Sequence, residues 1–159
     1  MSVSVEDAAG GAFDDVVVRR RIGRDLYVQS KSSNYADVVV DSEWLVTPRS
    51  AEGSSPLQRF YGTFAGLVAA GGAFSLELWT NRGFDHEDPL LGSLLDGRHH
   101  RIDTQRMLGK GPRSRVGRQR DNWAQHLGSA SRTWLRFSML SAGSTLALSL
   151  TSVIMQGHG

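Results

Sequence analysis

Two seven-residue runs rich in Val, Leu and Tyr, Asp15 to Arg21 and Asp25 to Lys31, are separated by Ile22-Gly23-Arg24. Runs this close read as the two arms of a β-hairpin, and that ribbon constrains everything built around it. With Gly23 as the centre of the turn, Asp15 falls opposite Lys31, and Val17 opposite Gln29. Side chains alternate faces along a strand, and opposed residues share a face. Asp15, Gln29 and Lys31 are therefore expected on one face at one end of the ribbon. A register one residue away substitutes Asp14 for Asp15, so a carboxylate is offered in either case.

Around the hairpin the pattern predicts an α/β domain. Val3 to Val5 alternates as a short edge strand ahead of Glu6, and Asp7 to Gly11 reads as a loop. Ala36 to Val46 fits either another strand or a buried turn of helix, and periodicity does not choose. The clearest helix has Ser55 as N-cap, Pro56 at its first position, and Leu57, Phe60, Tyr61, Phe64, Leu67 and Val68 on one stripe. It is expected to stop at Gly71-Gly72. Phe74 to Thr80 alternates as a strand with Phe74, Leu76 and Leu78 on one face. A short helix is expected from Asp88-Pro89 to Asp96. Later helices are expected near Asp121 and Ser131, with Trp123 and Trp134 at core positions rather than as base-stacking platforms. Gly109 to Gly117 reads as a basic loop; it is not a P-loop, because no Ser or Thr follows Lys110 and the glycine spacing is wrong.

A chain of 159 residues suits one domain with its own core. The absence of cysteine excludes disulfides, thiolate catalysis and Cys-based zinc sites, so any metal must be held by oxygen or imidazole. Of the 18 basic residues, 16 are Arg and two are Lys, Lys31 and Lys110. The net charge of +2 is unevenly spread. Arg98, Arg101, Arg106, Lys110, Arg113, Arg115, Arg118 and Arg120 form a block opposed only by Asp103, beside an acidic remainder. Such a block is either solvated surface or the footprint of a protein that grips polyanions. No secretory signal opens the sequence, so the mature chain is expected to begin at Met1 in the cytoplasm. Phe137 to Met155 carries no formal charge. Its many Ser, Thr and Gly residues favour a core helix or interface segment over a membrane span.

A carboxylate, an amide oxygen and an ammonium on one strand end form a set suited to phosphodiester hydrolysis. Mg²⁺ takes few carboxylates, several waters and substrate phosphate, so Asp15 can anchor it with the Gln29 oxygen as a neutral ligand. Lys31 can orient water and stabilise charge developing on phosphorus. Glu6 offers a further carboxylate. The plainer reading is a strand start at Asp14-Asp15, an exposed Gln29, and Lys31 guarding an edge strand.

Asp-Asp-Val-Val-Val followed by Leu-Tyr-Val-Gln-Ser-Lys-Ser resembles the PD-(D/E)xK nuclease superfamily, in the variant where Gln replaces the second acid. It is most similar to the double-stranded-DNA endonuclease domain at the N-terminus of CBASS antiphage effectors, which are associated with CD-NTases. Phe60-Tyr61, the Leu78-Trp79-Thr80-Asn81-Arg82 element and Asp88-Pro89-Leu90-Leu91 extend the similarity over roughly residues 3 to 100. The resemblance implies a restriction-endonuclease-like mixed sheet flanked by helices. It implies a Mg²⁺- or Mn²⁺-dependent site at Asp15, Gln29 and Lys31, with Glu6 as a further metal ligand, and double-stranded DNA as substrate in antiphage defence. The family's usual first helix and its downstream cyclic-oligonucleotide sensor have no counterpart, so the expectation is a nuclease-like domain over residues 1–136 without its first helix. Residues 137–159 then form a separate uncharged tail, and a sensor is expected on another chain. A homo-oligomer is compatible with this reading.

Three other features have plain explanations. His99 and His100 are adjacent and point to opposite faces in a strand, so they join the basic surface rather than a metal site. Thr80-Asn81-Arg82-Gly83 reads as a turn ending a strand more readily than as a phosphate contact. Asp85, Glu87 and Asp88 read as an acidic loop with Asp88 as a helix cap. The main alternative to an endonuclease is a non-catalytic nucleic-acid-binding or assembly module built on the same fold.

Overall fold

A computed structural model of the chain describes residues 1–32, 34, 39–71, 73–80, 82–85, 87–88, 92, 95–96, 101–102, 111–128, 145–146 and 148–149. The main sheet is mixed. Strand β1 (Ser2–Val5) pairs antiparallel with β2 (Val16–Arg19), and β2 pairs antiparallel with β3 (Asp25–Lys31). Strand β3 then runs parallel to β5 (Phe74–Thr80), with Lys31 beside Thr80, and β5 runs parallel to β9 (Thr145–Leu146). The order is β1-β2-β3-β5-β9.

The connection from β3 to β5 passes through β4 (Val39–Val40), helix α1 (Ser42–Val46) and helix α2 (Pro56–Ala70). The segment that fitted either strand or helix supplies both in turn. Residues 95–96 (β7) and 101–102 (β8) pair with each other, and residues 148–149 (β10) pair with β8. Strand β4 pairs with residues 83–84 (β6).

Helix α2 forms where its punctuation requires. The Ser55 hydroxyl accepts from Gln58 N–H at 3.2 Å, and Gln58 Oε1 accepts from Ser55 N–H at 2.9 Å, giving a complete capping box ahead of Pro56. At the other end Gly71 adopts φ +80°, a left-handed conformation that stops the helix without a Cβ penalty. The helix buries Leu57, Phe60 and Phe64. Phe64 meets Phe74 edge-on at 5.6 Å between centroids, and Phe60 lies 4.9 Å from the fully buried Phe13. Leu76 and Leu78 of β5 complete this layer, so the face carrying odd-numbered residues of β3 is the core face.

Several expectations are corrected. The hairpin register is displaced by two residues: Val17 lies opposite Tyr27, not Gln29. The centre of the connection is Ile22 rather than Gly23, and the Arg20 N–H donates to Asp25 Oδ1 at 2.8 Å across it. A shift of two preserves the face of every residue, so the predicted grouping survives the wrong register. Helix α3 spans Arg115–His126 and begins six residues ahead of Asp121, because the Ser114 hydroxyl accepts from Gly117 N–H at 3.0 Å and caps it there. Part of the supposed basic loop is therefore helix. Trp123 is buried in the core, as its spacing predicts. Trp134 and the helix expected near Ser131 lie outside the described residues.

Gly92 is helical and its N–H donates to the Asp88 carbonyl at 3.0 Å, as the helix expected after Asp88 requires. The Asp88 side chain also holds the start of α1, whose N-cap is Asp41. Asp88 Oδ2 accepts from Ser42 N–H at 2.8 Å and from the Ser42 hydroxyl at 2.6 Å. The expected end of that helix at Asp96 is corrected, since Leu95 and Asp96 are strand. Within the uncharged tail, the described residues are short strands rather than a helix, and β9 joins the main sheet beside β5. Among the described residues no helix is long and apolar enough to cross a membrane.

Candidate functional site

Alternating strand directions gather four chain ends at one end of the sheet. These are the exit of β1, the entry of β2, and the exits of β3 and β5. Asp15 immediately precedes β2, and Gln29 and Lys31 lie near the end of β3. The sequence thus places an acid, an amide and an ammonium at the carboxyl end of a parallel strand pair, where open α/β sheets hold ligands.

Asp15 and Gln29 are in direct contact. Gln29 Nε2 donates to Asp15 Oδ2, and the Ser30 backbone N–H donates to the same oxygen at 2.5 Å. Gln29 Nε2 also reaches the Ser30 carbonyl at 3.3 Å. Gln29 is only 2 % exposed, so its amide is a core polar group held in a specific place rather than an exposed strand residue. The displaced register explains the pairing: one residue beyond β2, Asp15 comes level with Gln29 instead of Lys31.

Lys31 is half-buried two residues further along the same face. Burial holds its ammonium below the usual lysine range. The Asp15 carboxylate opposes that shift, Arg59 and Arg49 add to it, and Asp14 opposes it. The choice between Asp14 and Asp15 resolves to Asp15, which meets Gln29 and Ser30 directly, and Asp14 acts on Lys31 through its charge alone. Arg49 and Arg59, from the loop before α2 and from α2 itself, act on Lys31 through their charge, which strand spacing could not reveal.

Glu6 is exposed and lies just beyond β1 at φ +52°, not within the strand. It is joined to Asp15 through the backbone, its N–H donating to the Asp15 carbonyl at 3.3 Å. Asp7 beside it faces away into a tie with Arg19 at 2.6 Å and Ser4 at 2.7 Å. These partners hold its carboxyl well below the usual range.

The donor set fits a hard cation. Asp15 Oδ2 is committed to two N–H groups, but its Oδ1 receives no hydrogen bond among the described residues, and the pair with Gln29 uses the amide nitrogen and leaves the amide oxygen. One carboxylate and one amide oxygen suit Mg²⁺, which keeps most of its coordination for water and phosphate. Among the described residues there is no group of three or more His, Asp or Glu side chains able to hold a metal between them.

The basic block divides. Arg113, Arg115 and Arg118 are exposed at the start of α3, with Arg118 Nη1 donating to the Arg113 carbonyl at 2.5 Å. Arg120 does not join them: it is 8 % exposed and its Nε and Nη2 reach Asp121 Oδ1 at 3.1 Å. The backbone of Arg101 lies in β8, and Arg98, Arg106, Lys110, His99 and His100 lie outside the described residues. Arg82 closes the turn after β5, its N–H donating to Thr80 Oγ1 at 3.1 Å, and its guanidinium lies 5.8 Å from the centroid of the Trp44 ring. Asn81 lies outside the described residues.

No family model matches the chain, and no curated protein matches it.

Proposed function

We propose that the chain is a metal-dependent endonuclease of the PD-(D/E)xK kind, with a restriction-endonuclease-like core, that hydrolyses phosphodiester bonds of double-stranded DNA in antiphage defence. The observation that carries this reading is the buried Gln29 amide bonded to Asp15, with Lys31 two residues on and sharing their face. A solvated strand surface would give no reason to bury an amide against a carboxylate and an ammonium close by. The mixed sheet, with β3 and β5 parallel neighbours and the site at the carboxyl end of β3, further supports it.

Asp15 and the Gln29 oxygen are the groups that would hold Mg²⁺ or Mn²⁺, with Glu6, brought beside Asp15 by the pairing of β1 and β2, as a further carboxylate. When bound, the ion supplies Lewis-acid polarisation of a phosphoryl oxygen and acidifies water. The protein side chains do the rest. The Ser30 N–H and the Gln29 amide fix the Asp15 carboxylate in one orientation, so no reorganisation is needed when substrate arrives. Lys31, its ammonium partly desolvated, orients the attacking water and meets the charge that grows on the phosphate oxygens. Water adds to phosphorus, one P–O ester bond breaks, and the departing oxygen takes a proton, leaving one phosphate and one hydroxyl end. Arg113, Arg115 and Arg118 contact backbone phosphates without reading bases.

Incubation of the purified chain with supercoiled plasmid tests this. Mg²⁺ should support cleavage, EDTA should stop it, and Asp15→Asn should abolish it while keeping the fold, since an amide oxygen can still accept from Ser30. Salt-sensitive DNA binding with no cleavage by the native chain would select the non-catalytic binding module instead.

A further inference from the structure

The parallel pairing of β3 and β5 fixes where α2 begins. To return the chain to the start of β5, the crossover helix must run against the strands, so its first turns lie at the end of the sheet where Lys31 sits. Arg59 is the fourth residue of α2 and is exposed. Its face is fixed by Thr63, one turn on, whose Oγ1 accepts from the Ala12 backbone N–H at 2.8 Å and donates to the Arg59 carbonyl at 3.3 Å. That contact docks the Arg59 side of α2 on the segment leading to Asp15. Arg49 is also exposed, and it shares the wall of a surface hollow with Pro56, the first residue of α2. Neither guanidinium has an ion-pair partner among the described residues.

Two arginines and Lys31 thus belong to one end of the sheet, with Asp15 beside Gln29 and with Asp41 and Glu43 lining the same hollow as Arg49; none of these acids forms an ion pair with Arg49 or Arg59, and the cations raise one another's cost. A polyanion laid across the sheet end relieves that repulsion, and a phosphodiester chain offers regularly spaced negative charges to do so.

We propose that Arg59 and Arg49 form a phosphate clamp at the end of the sheet, gripping the DNA backbone on either side of the bond presented to Lys31. This rests on the endonuclease reading for the identity of the strand it holds. Arg113, ahead of α3, and Arg115 and Arg118 within it then supply a separate grip, and the clamp positions the scissile strand.

The test is binding of a fluorescein-labelled DNA duplex by anisotropy, with Ca²⁺ in place of Mg²⁺, over a series of NaCl concentrations, beside cleavage assays in Mg²⁺. Arg49→Ala/Arg59→Ala should weaken binding and reduce the slope of log affinity against log salt by about 0.9 for each phosphate no longer neutralised, close to two in all. Arg49→Lys/Arg59→Lys should recover most of the slope. In cleavage, the alanine pair should raise KM more than it lowers kcat. The clamp is overturned if the alanine pair, with circular dichroism matching the native chain, binds and cleaves as the native chain does; the endonuclease reading then stands. If the native chain binds DNA with a slope that depends on Arg49 and Arg59 yet never cleaves it, the clamp stands and the endonuclease reading fails. Absence of DNA binding by the native chain overturns both.

Discussion

The side-chain amide of the buried Gln29 donates to the carboxylate of Asp15, the residue just ahead of the neighbouring strand, and the Ser30 N–H donates to the same oxygen. An amide can do this at any pH because it carries no charge. An acid at the same position must either keep a proton or place two negative charges in contact.

Gln29→Glu is therefore expected to destabilise the metal-free protein by about 1–3 kcal/mol at pH 7. The new carboxyl would titrate above its unfolded value. Its protonated form can donate to Asp15, so the variant should approach native stability at acidic pH and lose ground as pH rises through the folded value. Mg²⁺ should offset the loss by screening the pair, raising Tm more in the variant than in the native chain. Thermal unfolding at pH 5 and 7.5, with and without Mg²⁺, measures both effects; equal Tm values throughout would contradict them.

Lys31 sits at the sheet end at a cost to stability. Its ammonium is partly desolvated, and this outweighs the pull of Asp15, so the charged form is disfavoured in the folded state. Because the folded value is lowered, the unfolded chain binds the proton more tightly. The resulting penalty is present at neutral pH and fades as pH rises toward the unfolded lysine value. Lys31→Met should be at least as stable as the native chain at pH 7, with any advantage shrinking toward pH 10. Denaturant titrations across that range decide it, and a variant clearly less stable at pH 7 would show that Lys31 is held by favourable pairing instead.

Phe13 connects the sheet end to the helix layer. It lies two residues before Asp15, is fully buried, and has its ring centroid 4.9 Å from that of Phe60. Phe13→Ala should cost about 3–5 kcal/mol of stability and loosen the position of Asp15. Urea unfolding would reveal it, and a cost under about 1 kcal/mol would mean that this part of the core collapses onto the gap.

Local signals made much of this fold legible. Ser55-Pro56 and Gly71 bound α2 because caps act within one turn, and β5 follows its alternation from Phe74 to Thr80. The hairpin register did not follow from the glycine, since a five-residue connection closed by Asp25 places Ile22 at its centre and leaves Gly23 at φ +97° off-centre. The error was two residues, which is why Asp15, Gln29 and Lys31 still share a face. Ser114 carried a usable N-cap signal for α3 that the surrounding glycines and arginines obscured. Arg49 and Arg59 were invisible for another reason: only the crossover from β3 to β5 brings them to Lys31, and tertiary proximity leaves no mark in local spacing.

The functional reading turns on Lys31 serving phosphodiester hydrolysis, and conversion of supercoiled plasmid to nicked and linear forms in Mg²⁺ measures that role. For Lys31→Ala, with native circular dichroism and DNA binding close to native, cleavage should slow by about 10² or more. Cleavage by Lys31→Ala at the native rate would show that the ammonium has no part in the reaction.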